Sequence, residues 1–338
     1  MAKERVLVVG AGGISNAWFP PLAKEKVNVV AVVDLNIDRA KAQIAKYNLS
    51  CPAGTDLDAA LREHRPDFVV DLTVPEAHCR VTCTALAAGC HVIGEKPMAA
   101  SMAEARKMVA AAEKAGRLHM VSQSRRWDRK HELVKRLVTG GRVGELTTIN
   151  CDFYIGAHFG GFRDAMPSPL ILDMAIHHFD LARYMTGADP VAVYAREFNP
   201  KGSWYAGDVA ASCIFEMTGG VVFTYRGSWC AEGCHTSWNG DWRFIGDRGT
   251  LLYDHDQPPH GQVVAGKAGF HRPMKDVKVP AERVKCTGMH GALREMLAFL
   301  RTGRRPQTEC RDNIKSLAMV FAAMESSRKG KRVSVKAL

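Results

Sequence analysis

The stretch "RVLVVGAGGIS", from Arg5 to Ser15, decides the fold of this chain. Five mainly apolar residues run into closely spaced glycines, and a helix-like segment follows directly. This order is typical of a buried strand that turns sharply into a helix. It predicts the first strand–turn–helix unit of a parallel sheet, with the glycines at the carboxyl end of the strand.

The same alternation continues through the first third of the chain. Further strands are predicted at 28–33, 68–72, 90–94 and 118–121, and helices at 37–47, 76–88 and 102–114. Connections of helix length join parallel strands, whereas antiparallel neighbours need only a turn. Because the strands are almost continuously apolar, both faces of the sheet must be covered. We therefore expect an α/β, doubly wound Rossmann domain over residues 1–122.

After residue 122 the pattern changes to long, partly alternating runs. A helix is predicted at 126–140 and helices return at 292–301 and 313–327, with strands at 146–155, 191–198, 209–216, 221–229, 242–245 and 250–253. Few helices interrupt these strands, which favours a large, mainly antiparallel sheet with helices on one face. We expect an α+β domain over residues 123–338.

Composition narrows the possible partners. The chain has 338 residues and a formal net charge of +11, which is spread along the sequence and forms no basic stripe interleaved with aromatic residues. We therefore expect no nucleic-acid partner. No apolar run approaches the roughly 18 residues that span a bilayer, and the charged start runs directly into a strand. We expect no membrane partner and a cytoplasmic location.

The ten cysteines form no paired framework, so they are most simply small buried residues. Cys230, Cys234 and His235 could sketch a metal site, but their spacing is not a standard one and no fourth ligand is evident. We expect no metal.

The glycine motif predicts a dinucleotide site. Gly10 permits the tight turn, and Gly12, followed by Gly13 and Ile14, lets backbone N–H groups approach a pyrophosphate at the start of the helix. Ser15 replaces the third glycine of the usual motif. Asp34 ends the second strand, where a carboxylate can accept hydrogen bonds from both ribose hydroxyls of NAD and repels the 2′-phosphate of NADP. NAD is therefore the expected cofactor, unless Asp34 is only a solvated strand-end residue.

Two more strand ends carry unusual residues. "TVPEAH" supplies Thr73, Pro75 and His78, and "GEKPMA" supplies Glu95 and Lys96. At the carboxyl edge of the sheet these residues are candidates for cofactor contacts. Lys96 either points into the ligand cleft or is an ordinary loop lysine.

A third motif, "ILDMAIHHFDL" at 171–181, places titratable groups within an apolar, helix-like run. On an α-helix Asp173 and His177 lie four residues apart and share a face, so the carboxylate can orient the imidazole. His178 is rotated by about 100° and either packs or contacts substrate. The alternative is a simple surface Asp–His pair.

Taken together, these motifs resemble the Gfo/Idh/MocA family, the glucose–fructose oxidoreductase and inositol dehydrogenase group. The resemblance runs nearly end to end and includes "VVGAGGIS", "TVPEAH", "GEKPMA", "SRRWDRKHELVKRLVTGGRVGEL", "LILDMAIHHFDLARYMTG", "FIGDRGTLLYD" and "ESSRKGKRV". It implies a Rossmann domain followed by an open-faced sheet domain that binds substrate and forms dimers or tetramers. It also implies NAD(P)-dependent oxidation of sugars, inositols or related polyols.

The resemblance matches Lys96, Asp173 and His177 to the catalytic lysine, aspartate and histidine of the family. Oxidation of a secondary alcohol needs a base near neutrality, and an ammonium can stabilise the developing alkoxide. Candidates for substrate contacts are the residues after the last Rossmann strand and those of the loop "GAHFGGFRD": Gln123, Arg126, Trp127, His158, Arg163 and, with the reservation above, His178.

Two other functions stay open at this stage. One is a glycosidase that oxidises, eliminates and re-reduces its substrate with a bound NAD. The other is a non-catalytic dinucleotide or sugar sensor, although a sensor does not need Lys96, Asp173 and His177 together. The fold cannot identify the substrate.

Overall fold

The computed structural model describes residues 3–338, which divide into two compact units. The first comprises the chain up to Trp127 together with Lys285–Ile314 and Leu338, and the second comprises Asp128–Val284 and Lys315–Ala337. The sequence predicted one boundary, after residue 122. Lys285–Ile314 instead belongs to the first unit, because its apolar residues join the core of that unit.

The first unit contains a six-stranded parallel sheet with helices between the strands. Its elements are β1 (Arg5–Val9), α1 (Phe19–Lys24), β2 (Asn28–Val33), α2 (Ile37–Lys46), β3 (Ala53–Gly54), α3 (Leu57–His64), β4 (Phe68–Asp71), α4 (Pro75–Ala87), β5 (His91–Gly94), α5 (Met102–Ala115) and β6 (His119–Val121). The strand order is β3-β2-β1-β4-β5-β6. This is the doubly wound order with its switch point between β1 and β4, so the prediction of a Rossmann sheet is confirmed.

Local sequence explains where these helices begin and end. The side chains of Asn36, Asp56 and Ser101 accept hydrogen bonds from backbone N–H groups in the first turns of α2, α3 and α5. Gly116 ends α5 in the left-handed conformation. Each cap satisfies groups that a helix terminus leaves without an intrahelical partner.

The second unit is built on a nine-stranded mixed sheet. Its elements are α6 (Arg129–Thr139), β7 (Leu146–Tyr154), α7 (Ile176–Thr186), β8 (Pro190–Phe198), β9 (Ala210–Met217), β10 (Val222–Ser228), β11 (Asp241–Gly246), β12 (Gly249–Tyr253), β13 (His260–Val264) and β14 (Met274–Asp276). The chain then forms α8 (Gly288–Thr302), which belongs to the first unit, and continues with α9 (Cys310–Lys329) and β15 (Val333–Ser334). The strand order is β14-β13-β12-β11-β7-β10-β9-β8-β15. Only β10 and β7 pair in parallel, so the predicted, mainly antiparallel sheet is confirmed.

Aromatic residues fill the core on one face of this sheet. Phe179 of α7 packs against Phe215 and Phe223, with ring centroids 4.8 and 6.3 Å away. On the other face, Tyr194 and Ile214 are about half exposed. The alternation of buried and exposed positions along β8 and β9 produces this difference, because successive strand residues point to opposite faces.

In the first unit, α8 covers part of the core. Leu293 and Met296 are fully buried there together with Trp18 and Phe68. No helix within residues 3–338 is long and apolar enough to cross a membrane.

Candidate active-site residues

A cavity of about 610 Å³ lies at the carboxyl ends of the strands in the first unit. Gly10, Gly12, Asp34 and Thr73, all predicted to bind cofactor, contribute to its lining. The cavity follows from the topology, because the connections leave β1 and β4 in opposite directions and open a crevice between them.

The glycine turn gives this cavity a backbone wall. Gly10 has φ +95°, and a Cβ there would lie 2.7 Å from the carbonyl carbon of Leu72, so only glycine fits. At Gly12 and Gly13 a Cβ would meet nothing within 4 Å, which leaves space beside the backbone for a ligand. Ser15 is buried and donates from its hydroxyl to the Gly12 carbonyl at 2.6 Å. Ser15, which stands where the usual motif has its third glycine, thus stabilises the turn by this hydrogen bond.

Asp34 holds two backbone groups of its own unit. Its Oδ2 accepts from the Ala11 N–H at 2.7 Å, and its Oδ1 accepts from the Asn36 N–H at 2.8 Å. A carboxylate oxygen can accept more than one hydrogen bond, so ribose hydroxyls can still be bound. Sequence reasoning missed Arg39 and Arg80, which line the same cavity. Arg39 could have been found, because it falls in the first turn of the predicted helix that follows Asp34.

The other predicted cofactor residues differ in exposure. Ile14 is 38% exposed beside the glycine turn, and Pro75 is half-buried as the first residue of α4. His78 is only 1% exposed. Its Nδ1 lies 3.0 Å from Asp71 Oδ2, and Thr73 donates to Asp71 Oδ1 at 2.6 Å. The predicted cofactor contact of His78 stays a prediction; in the structure the imidazole is buried and paired with Asp71.

Glu95 is also turned inward. Its Oε1 accepts from Trp18 Nε1 at 2.8 Å and its Oε2 from the Lys96 N–H at 3.3 Å, and the residue is 7% exposed. Burial raises the pKa of Glu95 above its usual range, against the opposing effects of Trp18, Lys96 and His78. The cofactor contact predicted for Glu95 stays a prediction, and Lys96, the next residue, is half-buried.

Three predicted substrate residues are buried in the first unit. Gln123 and Trp127 are 1% and 6% exposed, and Trp127 belongs to the hydrophobic core. Arg126 forms an ion pair with Asp312 at 2.8 Å and donates to the Gln307 carbonyl at 2.7 Å. Trp127 therefore packs in the core and Arg126 is paired within the unit, while the substrate contacts predicted for these three residues stay predictions. The position of these residues after the last Rossmann strand did not reveal the pairing, because the partners of Arg126 come from a segment almost two hundred residues later.

In the second unit the candidate catalytic motif begins on a π-helical turn. Leu170–Ala175 is π-helical, and α7 starts at Ile176, so the predicted single α-helix is wrong in its first turn. Apolar periodicity cannot distinguish one π turn from one α turn, because the repeats differ by about one residue. Asp173 lies on the π turn and His177 in the first turn of α7, and both are half-buried. Single π turns inside helices often mark functional sites.

Arg163 is brought to Asp173. Its Nε donates to Asp173 Oδ2 at 2.6 Å, and its guanidinium lies 5.0 Å from the ring centroid of Phe159 and 4.7 Å from that of Phe162. The two aromatic rings hold the guanidinium by cation–π contacts. Sequence reasoning assigned Arg163 to the substrate and did not foresee its pairing with the catalytic candidate.

His178 is fully buried in an aromatic cluster. Its ring centroid lies 4.8 Å from Phe153 and 5.5 Å from Tyr225. The structure shows the packing considered for His178, and its substrate contact stays a prediction. His158 is exposed instead, stacks on Trp204 at 3.7 Å and lies 2.8 Å from a carboxylate oxygen of Glu232.

Cys230, Cys234 and His235, which were considered as a metal site from the sequence, do not form a ligand group in the described residues. Among residues 3–338 no three His, Cys, Asp or Glu side chains are grouped to hold a metal ion. His235 Nε2 accepts from the Gly156 N–H at 3.2 Å, and Cys230 lies 3.4 Å from the Ser228 hydroxyl.

A further buried carboxyl group, in the second unit, was not foreseen. Glu197 at the end of β8 is 6% exposed, and burial raises its pKa to about 7, with Asp208 adding to the shift and a hydrogen bond from Ser168 opposing it. Ser168 lies just before the π turn. The only sequence signal that could have found Glu197 is its place in the alternating pattern of buried and exposed residues along β8.

Known protein families account for both units. Residues 4–123 match the oxidoreductase family with an NAD-binding Rossmann fold, Gfo/Idh/MocA, and residues 131–252 match the C-terminal domain of the same family. The chain belongs to the Gfo/Idh/MocA family. As a member, it is an NAD(P)-binding oxidoreductase, and the family predicted from the sequence motifs is confirmed.

Individual relatives span nearly the whole chain. A D-apiose dehydrogenase from Paraburkholderia graminis is 27% identical, over 92% of this chain and 84% of its own length. An uncharacterized protein from Sinorhizobium fredii, y4oX, is 28% identical over 98% and 95%. An oxidoreductase from Agrobacterium radiobacter, solved with NAD⁺, L-tartaric acid and magnesium, has a TM-score of 0.86 at 21% identity, over 99% of each chain. That structural similarity supports the Gfo/Idh/MocA fold.

Proposed function

We propose that this chain is an NAD-dependent dehydrogenase that transfers a hydride between a secondary alcohol of a sugar, inositol or related polyol and the nicotinamide. The observation that carries the proposal is the half-buried Asp173, held by Arg163 and followed four residues later by half-buried His177. In an NAD(P)-binding oxidoreductase this is a base with its orienting carboxylate. The name of the Paraburkholderia relative, a sugar dehydrogenase, supports the substrate class.

The dinucleotide, when bound, accepts the hydride from the alcohol carbon. His177 takes the proton from the alcohol oxygen, since histidine has an ordinary pKa of about 6.5 and suits proton transfer near neutrality. Asp173 holds the imidazole in place. For Lys96 we propose the role of the catalytic lysine of the family, whose ammonium stabilises developing negative charge on an alcohol oxygen.

For the cofactor we propose NAD over NADP. The Asp34 carboxylate lines the cavity and disfavours a 2′-phosphate. Arg39 and Arg80 line the same cavity and work against this preference.

For the substrate we propose a neutral, hydroxyl-rich ring. Arg163 and His158 carry donors, while Asp164 and Glu232 add negative charge to the same loops. Hydroxyl groups can use both signs, whereas an anionic substrate would be repelled by the two carboxylates.

We further propose a cytoplasmic homodimer or homotetramer that pairs through the exposed sheet face. Tyr194, Ile214 and Val222 leave apolar surface on that face. Exposed apolar surface on a sheet commonly marks an interface. Sedimentation at micromolar concentration tests this, and a monomer there would contradict it.

The test of function is a panel of inositols, aldoses, glycosides and anhydrosugars, each with NAD and with NADP. We expect NADH formation with at least one sugar or polyol, and loss of most turnover in Lys96→Met and His177→Ala. Loss of glycoside without net NADH would instead identify the glycosidase alternative, and dinucleotide binding without any turnover would identify a sensor.

His255→Ala is the matched control for His177→Ala. His255 also pairs with an aspartate, Asp241, at 3.3 Å, but its side chain is 66% exposed. Turnover should be unchanged in this variant.

A further inference from the structure

Exposed aromatic rings lie beside the candidate catalytic motif in the second unit. Phe162, Phe159 and Trp238 are 67%, 43% and 45% exposed. The Arg163 guanidinium contacts both phenylalanine rings, and the ring centroids of Phe159 and Trp238 are 6.1 Å apart. We call these three rings the aromatic row. Arg163 connects the row to Asp173, to which it donates a hydrogen bond at 2.6 Å.

The loop sequence explains how two rings reach one guanidinium. Between Phe159 and Phe162 stand Gly160 and Gly161, with φ of +68° and +70°. Two consecutive residues with positive φ bend the chain, and glycine adopts this conformation without the strain that a Cβ would add. Both phenylalanine rings therefore reach Arg163, where their π faces attract the cation.

Buried groups hold the row from the inside of the unit. Ala157 donates from its N–H to the Trp229 carbonyl at 3.2 Å, which fixes the start of the loop. The ring of Phe159 lies 5.0 Å from that of buried Trp229, and the ring of Trp238 lies 6.1 Å from that of fully buried Phe153. Phe159 and Trp238 thus each have one side packed on the interior and one side open to water, which makes a preformed binding surface.

The segments that carry the row meet at one edge of the nine-stranded sheet. β7 and β10 run in parallel and both end there, and β11 is antiparallel to β7 and begins there. The loop with Phe159 and Phe162 follows β7, and Trp238 lies between β10 and β11. Asp173 belongs to the same connection as the two phenylalanines, between β7 and α7. The row and the candidate catalytic motif therefore share this edge.

The charges near the row favour a neutral ligand with an apolar face. Arg163 is already paired with Asp173, and His158 lies 2.8 Å from a carboxylate oxygen of Glu232. A nucleoside diphosphate would need cations that are not already paired in this way. The face of an aromatic ring instead attracts the weakly positive C–H groups of a sugar ring or the edge of another aromatic ring.

We propose that the aromatic row binds the second ring of a glycoside, while the first ring is oxidised beside His177. The second ring is the aglycone, another sugar or an aryl group, and it stacks on Phe162, Phe159 and Trp238. The place of oxidation rests on the proposed function. The proposal narrows the substrate class, because free inositols and monosaccharides have no second ring to occupy the row.

The first experiment compares matched glycosides in the unmodified protein. Free glucose, galactose, xylose and myo-inositol, the methyl and phenyl β-D-glycosides of the three sugars, and cellobiose are assayed with NAD. For each sugar that is turned over, the phenyl glycoside should have a KM about tenfold lower than the methyl glycoside, because its ring stacks on the row. A similarly low KM for cellobiose would identify a sugar as the second ring. Equal KM values for the two glycosides, or turnover of free sugars and inositol alone, would overturn the proposal.

A binding measurement separates this proposal from the proposed function. Trp238 is part of the row, so at least one phenyl glycoside should change the tryptophan fluorescence of the NAD-bound protein, and Trp238→Phe should lose this change. If no sugar or polyol is oxidised but the change occurs, the proposed function fails and the row still binds a ring. If no phenyl glycoside changes the fluorescence and none is preferred in turnover, the proposal about the row fails.

Variants of the row test which side chains bind the second ring. Trp238→Ala and Phe162→Ala should each reduce the preference for the phenyl glycoside to about twofold or less, whereas Phe162→Tyr keeps a ring and should keep the preference. Phe270→Ala is the matched control. Its ring is 99% exposed in the same unit and lies against His271, so its loss should leave the preference unchanged.

Two results would assign the exposed rings another role. If they only hold Arg163 in place, Phe162→Ala would lower kcat equally for both glycosides and keep the preference for the phenyl group. If they form a contact between subunits, Phe162→Ala or Trp238→Ala would sediment as a smaller species than the wild type. Either result would overturn the proposal.

Discussion

One close ion pair from each unit can be compared, and the two pairs differ in access to water. In the first unit His78 and Asp71 lie 3.0 Å apart with side chains 2% and 0% exposed. In the second unit Arg163 and Asp173 lie 2.6 Å apart with side chains 33% and 14% exposed. Similar distances therefore occur in very different dielectric surroundings.

This difference teaches which pair can exchange partners. A sealed pair interacts strongly, and breaking it leaves an uncompensated buried charge. A half-exposed pair is screened by water, so Asp173 can turn between Arg163 and another group at little cost. We infer that the first pair serves as a fixed source of charge and the second as an adjustable one.

The largest expected effect separates stability from activity. Asp71→Ala should lower the free energy of unfolding by about 3–5 kcal/mol, because His78 is left buried without its partner. Asp173→Ala should cost about 1 kcal/mol or less but lower turnover by about 10²–10⁴-fold. Urea unfolding and steady-state kinetics measure the two quantities. Equal losses of stability in both variants would remove the distinction between the pairs.

The next effect uses Glu197, a buried carboxyl group with the negative Asp208 near it. The pKa of Glu197 in the folded protein is about 7, above its ordinary 4.5. The folded state therefore holds its proton more tightly, and stability should fall as pH rises from about 4.5 to 7 and then level off. Glu197→Gln should remove this slope and gain about 3 kcal/mol at pH 8. Chemical unfolding at several pH values measures it.

Asp208→Asn is the companion variant for Glu197. It removes the negative neighbour that raises the pKa, so the fall in stability should occur over a narrower pH range. A wild-type protein whose stability is flat between pH 5 and 7 would show that Glu197 is paired more like Asp71.

The smallest expected effect concerns Arg163. Loss of one charged hydrogen bond to Asp173, worth about 1.5 kcal/mol, should lower turnover roughly tenfold in Arg163→Gln, and Arg163→Lys should restore part of it. Arg136→Gln is the control, because Arg136 forms a comparably buried ion pair with Glu132 at 2.9 Å. A change in KM alone would mean that Arg163 binds substrate and does not position Asp173.

Much of the fold could be predicted from the sequence. Five of the six strands of the first unit and its glycine turn were predicted within about one residue, because parallel strands buried on both faces read as continuous apolar runs. The short edge strand β3 was not predicted. The π turn at Leu170–Ala175 and the membership of Lys285–Ile314 in the first unit were not predicted. Both depend on packing that apolar periodicity does not encode.

For the candidate site, the sequence predicted which residues line the cavity better than it predicted which way each side chain faces. Gly10, Gly12, Asp34 and Thr73 line one cavity as expected from their strand ends. His78 lies on the predicted helix, but its helical position did not show that it faces Asp71 and not the cavity. A residue's place along a strand or helix is local information, whereas the direction of its burial depends on neighbours distant in sequence.

By itself, the sequence determined the class of this protein: a Rossmann unit, an open-faced sheet unit and the Gfo/Idh/MocA motifs with Lys96, Asp173 and His177. Spacing and apolar periodicity are sufficient for that, because they depend on bond geometry and on which residues avoid water. Only the tertiary structure decided which charges are sealed and which are open. Asp71 with His78, and Asp173 with Arg163, each require two segments to fold together before their burial, and hence their electrostatics, is defined.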